Sequence, residues 1–138
     1  MPSLNDADYR RLLEFRDGVR HFLRWSEGQA DAVGLTSAQH QLLLAVRGHA
    51  GPQDPTMGEV AEHLQLRHHS VVRLVNRAED AGLVTRSSDA DDQRIVLLAL
   101  TKVGTRRPEE LSAAPLEELR RLTPQPRPLW ADFQVEIA

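Results

Sequence analysis

The chain has 138 residues, 41% of them apolar and 27% charged, with a formal net charge of −3 and no cysteine. That length holds one domain with a real core, and the composition is that of a globular protein rather than a disordered one. The missing cysteine excludes disulfides, thiolate metal sites, cysteine nucleophiles and thiol redox sensing.

No apolar run approaches the ~20 residues needed to cross a bilayer. The acidic opening MPSLNDADYRR lacks the basic-then-apolar pattern of a secretory signal. A cytoplasmic protein with no membrane partner is therefore expected. Residues 6–27 read as a long helix, because Leu12, Phe15, Val19, Phe22 and Leu23 recur at helical spacing. Asn5 or Asp6 is its candidate cap, and Gly34 breaks the pattern. Thr36 and Gln39 form a capping box that opens a second helix. The run from Leu42 through Leu43, Leu44 and Ala45 to Val46 makes that helix almost wholly apolar, hence central. It ends over 48–51, with Pro52 beyond. Thr56 and Glu59 repeat the capping box for a short third helix, with Val60, Ala61 and Leu64 as its buried stripe. A fourth helix covers about 68–81. Val71, Leu74, Val75 and Ala78 face its core side, and Gly82 suits a left-handed C-cap.

The other side of the fourth helix carries Ser70, Arg73, Asn76 and Arg77, with His69 and Val72 at the edges. Arginine pairs with guanine and asparagine with adenine in a bidentate manner. Between His63 and Ala78 there is no acidic residue, while Arg67, Arg73 and Arg77 lie there with His68 and His69. A basic stripe on an acidic chain suits phosphate, although a merely solvated helix face has the same composition. After Gly82 the period becomes extended. Residues 83–87 and 95–100 read as two strands joined by the polar turn SDADDQR. Thr101 caps a further helix. Pro108 and Pro115 interrupt its pattern of Leu111, Leu116, Leu119 and Leu122, and are expected as kinks or helix starts. Pro124, Pro126 and Pro128 extend the chain before a last short helix with Leu129, Trp130, Phe133 and Ile137.

Helix, helix, short helix, helix and hairpin is the order of a winged helix-turn-helix. The fold class expected is mainly α with a small β-hairpin wing. Residues 1–138 form a single domain, with a DNA-binding lobe at 36–100. The flanks 1–35 and 101–138 cannot bury their apolar faces on so small a lobe, and are expected to pair with a second copy of the chain.

The segments GLTSAQHQLLLAV (34–46), MGEVAEHLQL (57–66), SVVRLVNRAEDAGLVTR (70–86), DADDQR (89–94) and LALTKVG (98–104) stand in a specific order and spacing. Over residues 35–104 the chain resembles the MarR (multiple antibiotic resistance regulator) family of bacterial transcription factors. The resemblance implies a homodimer, triangular in outline, on a near-palindromic operator in double-stranded DNA. It implies that Arg94 meets the duplex, oriented by an ion pair with Asp92. Ser70, Arg73, Asn76 and Arg77 take the recognition-helix roles, and Arg67, His68 and His69 contact phosphate. Arg86 matches the arginine that ends the first wing strand, in a DNA or a structural role. A crevice between dimer helices and lobe would take a small aromatic or phenolic effector, with His21, Phe22, Trp25 and His40 as candidate lining; ordinary packing of these side chains is the other reading. The chain departs from the family at Ala78, where leucine is commoner, and in five prolines after Gly104.

No cofactor and no metal are expected: His68 and His69 point apart on a helix, and no zinc spacing occurs. Catalysis is not expected either. Ser37 and Ser70 lack a glycine elbow, there is no phosphate-binding glycine loop, and Asp91 and Asp92 sit on a hairpin tip. A winged helix used only for protein contacts is the alternative. It would call for a less charged face, since interface cores are depleted of charge.

Overall fold

Most of the described helices begin at a side chain that closes the first turn. The structure, a computed structural model, describes residues 3–111. In α1 (Asp6–Ala32) the cap is Asn5: its Oδ1 accepts the Asp8 N–H at 2.9 Å, and Asp8 returns the bond to the Asn5 N–H at 3.0 Å. Thr36 and Gln39 cap α2 (Ser37–Arg47) reciprocally, and Thr56 and Glu59 do the same for α3 (Met57–Leu64). The last described helix, α5 (Lys102–Glu109), starts at Thr101. By contrast, α4 (His68–Asp80) starts at Arg67 with no side-chain cap.

Left-handed glycines set the ends of two helices. Gly34 (φ +72°) and Gly82 (φ +74°) follow α1 and α4. Beyond each, a leucine N–H reaches back over the last turn, Leu35 to the Ala30 carbonyl at 3.0 Å and Leu83 to the Ala78 carbonyl at 2.9 Å. Both leucines are thereby buried in the core. The first helix runs to Ala32 rather than stopping at residue 27. The internal glycines Gly18 and Gly28 cost only about 1 kcal/mol each, and nothing stops the helix before Gly34.

Residues Ala30–Leu111 make one compact unit, the lobe; the other unit is described over residues 3–29. The lobe's core is Leu42, Leu43, Val60, Val71, Val75, Leu83, Val84 and Leu98, each at most 1% exposed. Leu44 corrects the expectation of an all-apolar central helix, for it is 68% exposed. Successive helical residues turn by about 100°, so a continuous apolar run cannot all face one core. Leu74, Ala61 and Leu64 line the margin of the core, half-buried.

Strands β1 (Val84–Ser88) and β2 (Val96–Leu100) pair antiparallel, Val84 opposite Leu100 and Ser88 opposite Val96. Each starts one residue later than the sequence suggests. Leu83 is spent on the end of α4. Ile95 closes the hairpin loop, donating to the Asp92 carbonyl and accepting from the Asp89 N–H, both at 3.0 Å. The sequence does not show that the segment before α3 also joins this sheet. Leu98 donates to the Pro55 carbonyl at 2.9 Å, and Thr56 bridges to Leu97. The bracing helix is thus tied to the wing at its base.

Thr101 fixes the start of α5 to the turn after α4. Its hydroxyl donates to the Gly82 carbonyl at 2.6 Å and accepts the Gly104 N–H at 3.0 Å. Thr101→Ala should cost about 1–2 kcal/mol, the usual loss of an N-cap, with Thr101→Ser retaining most of it; urea unfolding of the three chains measures this. Pro108 is neither a kink nor a start. It sits in the final turn of α5, where its missing N–H removes one bond just before the helix ends at Glu109. Pro115, the expected later helices and the C-terminal part of the dimerisation region lie outside the described residues.

Glu59 makes α3 sensitive to acid. Its carboxyl is held below its ordinary value, chiefly by the Thr56 N–H and less by the Thr56 hydroxyl and by His49 and His63, against an opposing effect of desolvation. A carboxyl lowered on folding stabilises above its unfolded value, and that contribution is lost as pH falls through the folded value. Glu59→Gln can still cap, but carries no proton-linked gain. The stability difference between wild type and Glu59→Gln should therefore shrink from pH 6 to about pH 3. Urea midpoints at the two pH values test it.

Candidate nucleic-acid interface

Val71, Val75 and Ala78 are fully buried and fix the roll of α4 about its axis. The opposite side follows from helical geometry. His69, Arg73 and Asn76 fall on one stripe at steps of four and three residues, with Arg77 beside it, and all four are exposed. Ser70, placed within the face from sequence, is half-buried at its margin, whereas His69, placed at an edge, lies within the face. A small alanine at position 78 is accommodated in full, with no exposure at all. The face therefore offers two guanidinium groups, an amide and an imidazole on a rigid support.

The N-terminal end of α4 adds to this. Arg67, His68 and His69 are exposed there, and no side chain satisfies the first turn. Free N–H groups and the positive end of the helix dipole favour an anion at that place. Phosphate is the anion that such an end accommodates.

The hairpin loop is organised by two aspartates. Asp89 Oδ1 accepts the N–H of Asp91 at 2.7 Å and of Asp92 at 3.3 Å, which shapes the turn. Asp92 then holds Arg94 in a fork, Nε to Oδ1 at 3.1 Å and Nη2 to Oδ2 at 3.1 Å. Arg94's side chain is nonetheless 91% exposed. The side-chain hydrogen bond from Arg94, and then its backbone N–H, lower the Asp92 carboxyl, while the same bond raises the Arg94 guanidinium. The pair stays ionised, and a guanidinium with five N–H donors keeps some for another acceptor. Asp89 was not singled out from sequence, although an aspartate two residues before a turn N–H is a recognisable signal.

Residues 33–95 match the MarR family. The matched segment is a little under half of the chain. MarR proteins are transcriptional regulators, not enzymes. Among curated relatives, the HTH-type transcriptional repressor MdtR of Bacillus subtilis is 29% identical over 80 residues, covering 58% of this chain and 50% of MdtR. The match thus spans about half the length of that relative. Among solved structures, AbsC from Streptomyces coelicolor has a TM-score of 0.71 at 20% identity, covering 88% of this chain and 81% of that one. CouR from Rhodococcus jostii RHA1, bound to p-coumaroyl-CoA, has a TM-score of 0.69 at 25% identity, covering 91% and 85%. The winged helix with its hairpin is the MarR fold.

Within this lobe Arg86 takes a structural position. Its Nε lies 3.5 Å from Glu79 Oε1, an ion contact between β1 and α4, and that buried nitrogen makes no hydrogen bond. His40 belongs to α2 and is half-buried, and burial lowers its pKa so that the neutral imidazole is favoured. His21, Phe22 and Trp25 belong to α1; the Phe22 and Trp25 rings lie 5.9 Å apart and tilted at 35°. None of the described helices is long and apolar enough to cross a membrane.

Proposed function

We propose that this chain is a cytoplasmic, sequence-specific DNA-binding regulator of the MarR family, a ligand-responsive repressor acting as a homodimer on a near-palindromic operator. The observation that carries this reading is the face of α4. His69, Arg73, Asn76 and Arg77 are exposed opposite fully buried valines, beside a helix start that no side chain caps. So charged a face does not suit the core of a protein interface.

In this reading α4 enters the major groove, with Arg73, Asn76 and Arg77 at base edges and Ser70 at the margin. Arg67, His68 and His69 take the flanking phosphates, and Arg94 takes the backbone or groove beside the wing, oriented by Asp92. A dimer places two such helices ~34–36 Å apart, one turn of duplex. The exposed Leu4, Tyr9, Leu13 and Leu23 on and before α1 supply apolar surface for a second copy. The repressor role follows the name of MdtR. A small aromatic or phenolic effector, with His21, Phe22, Trp25 and His40 as contacts, accords with the phenolic acyl group bound by CouR. Such an effector releases DNA only if it binds the non-DNA-competent dimer better, and DNA then weakens effector binding by the same factor.

The test is a gel-shift titration with the DNA upstream of the chain's own gene, against random duplex, at several salt concentrations. Specific retardation of the upstream DNA at physiological salt is expected; equal affinity for both duplexes rejects sequence-specific binding. Arg94→Ala should weaken binding to all sequences and reduce the salt slope by about one, without changing the fold. The slope of affinity against salt, and the circular dichroism of the variant, check this.

A further inference from the structure

The connection after α2 carries His49, whose side chain is only 13% exposed. Its Nε2 lies 3.2 Å from Glu59 Oε2, and its Nδ1 lies 3.5 Å from Nε2 of His63 on α3. The two rings stand edge to face at 77°. Together with Ala50 and Glu62 these groups line a cleft of about 400 Å³, and His63 is exposed to solvent. Nothing in the DNA-binding reading uses them.

Glu59 divides its two oxygens between two tasks. Oε1 accepts the Thr56 N–H at 3.1 Å and caps α3. Oε2 stands 3.2 Å from His49 Nε2; in the tautomer with the proton on that nitrogen, Nδ1 offers its lone pair on the side of His63. A carboxylate behind a histidine, fixing its tautomer and raising the basicity of its other nitrogen, is the outer-shell arrangement of metal-binding imidazoles. The 3.5 Å between the two ring nitrogens is long for a hydrogen bond. It is the separation of two nitrogens each ~2.0–2.1 Å from one ion and roughly 110–120° apart, close to a tetrahedral edge. The terminal torsion of a histidine is soft, and a turn of the exposed His63 ring aims its lone pair at that point.

We propose that His49 and His63 bind a divalent transition-metal ion of the Zn²⁺ class, with Glu59 as the orienting carboxylate. Paired imidazoles select Zn²⁺, Ni²⁺ or Cu²⁺ over Mg²⁺ and Ca²⁺, which prefer oxygen. Among the described residues no three His, Asp or Glu side chains already surround one point. The two imidazoles are therefore the protein's fixed ligands, and solvent or the Glu62 carboxylate, which lines the same cleft, completes the shell. Sequence spacing gives no sign of the site, because its ligands stand 14 residues apart on different elements. A bound ion would join the end of α2 to α3, the helix that braces α4.

The experiment is calorimetric titration of the full chain, stripped of metal by chelator, with Zn²⁺ alone in a non-coordinating buffer at neutral pH. One ion per chain is expected. His63→Gln should weaken binding roughly tenfold or more, and Glu59→Gln, which keeps an oxygen to cap α3, about tenfold. A paired His68→Gln, His69→Gln variant should bind as wild type does. Urea midpoints of all variants separate a lost site from a lost fold; His63 is exposed, and its variant stays folded. The proposal is overturned if wild type takes up no Zn²⁺, if His63→Gln binds as tightly as wild type, or if binding is lost with His68 and His69 instead.

Discussion

Gly104→Ala will destabilise the lobe by about 3 kcal/mol, the upper end of ordinary overpacking, and lower its melting temperature by roughly 10 °C. A Cβ at this position would overlap the Leu83 carbonyl oxygen and stand 3.0 Å from its carbon, and both are backbone. That backbone cannot withdraw freely. The Leu83 carbonyl accepts the Thr101 N–H at 3.0 Å, and the Leu83 N–H closes the end of α4 on Ala78. Relief of the clash therefore means loosening the start of α5, the turn after α4, or both. Gly28→Ala is the matched control: it lies inside α1 with nothing within 4 Å of the added carbon. There alanine should stabilise by about 0.5–1 kcal/mol through helix propensity alone. Thermal melts of the two variants give opposite shifts. A Gly104→Ala chain within about 0.5 kcal/mol of wild type would show that the contact is not rigid.

Arg73→Ala carries the largest expected effect on DNA binding, a loss of about 1–3 kcal/mol on the cognate operator if Arg73 reads a base. Arg73 lies on the exposed stripe with His69 and Asn76, and the buried Val71 and Val75 on either side hold its direction. A guanidinium so placed is preorganised for the two acceptors of guanine. Because Arg73 is exposed, its loss should leave the melting temperature nearly unchanged. Competition between operator and random duplex decides its role. If both weaken equally, the contact is to phosphate and the base-reading role passes to Asn76 or Arg77.

The parts of this molecule that were readable from residues alone are those whose partners sit within a few positions. Thr36 finds Gln39 and Thr56 finds Glu59 across three residues. Asp92 holds Arg94 across two, a pair that the family resemblance implied rather than the spacing. Gly34 and Gly82 end helices because only glycine enters the left-handed region without cost. The cationic face was equally legible, since a helical period assigns sides without knowledge of neighbours. Its centre was misplaced only between His69 and Ser70, because the edge of a buried stripe depends on what packs beside it.

Where partners are distant in the chain, spacing carries no information. Leu44 lies in an apolar run yet is exposed, as the core occupies only one side of α2. The strand-like pairing of Leu98 with Pro55, the ion contact of Arg86 with Glu79, and the meeting of His49 with Glu59 and His63 all depend on how helices and hairpin come together. Local hydrogen bonds and periodicity determined the elements, their caps and the polarity of the exposed face of α4. Packing decided which side chains meet across elements, because close approach in a folded core is set by shape and burial rather than by order along the chain.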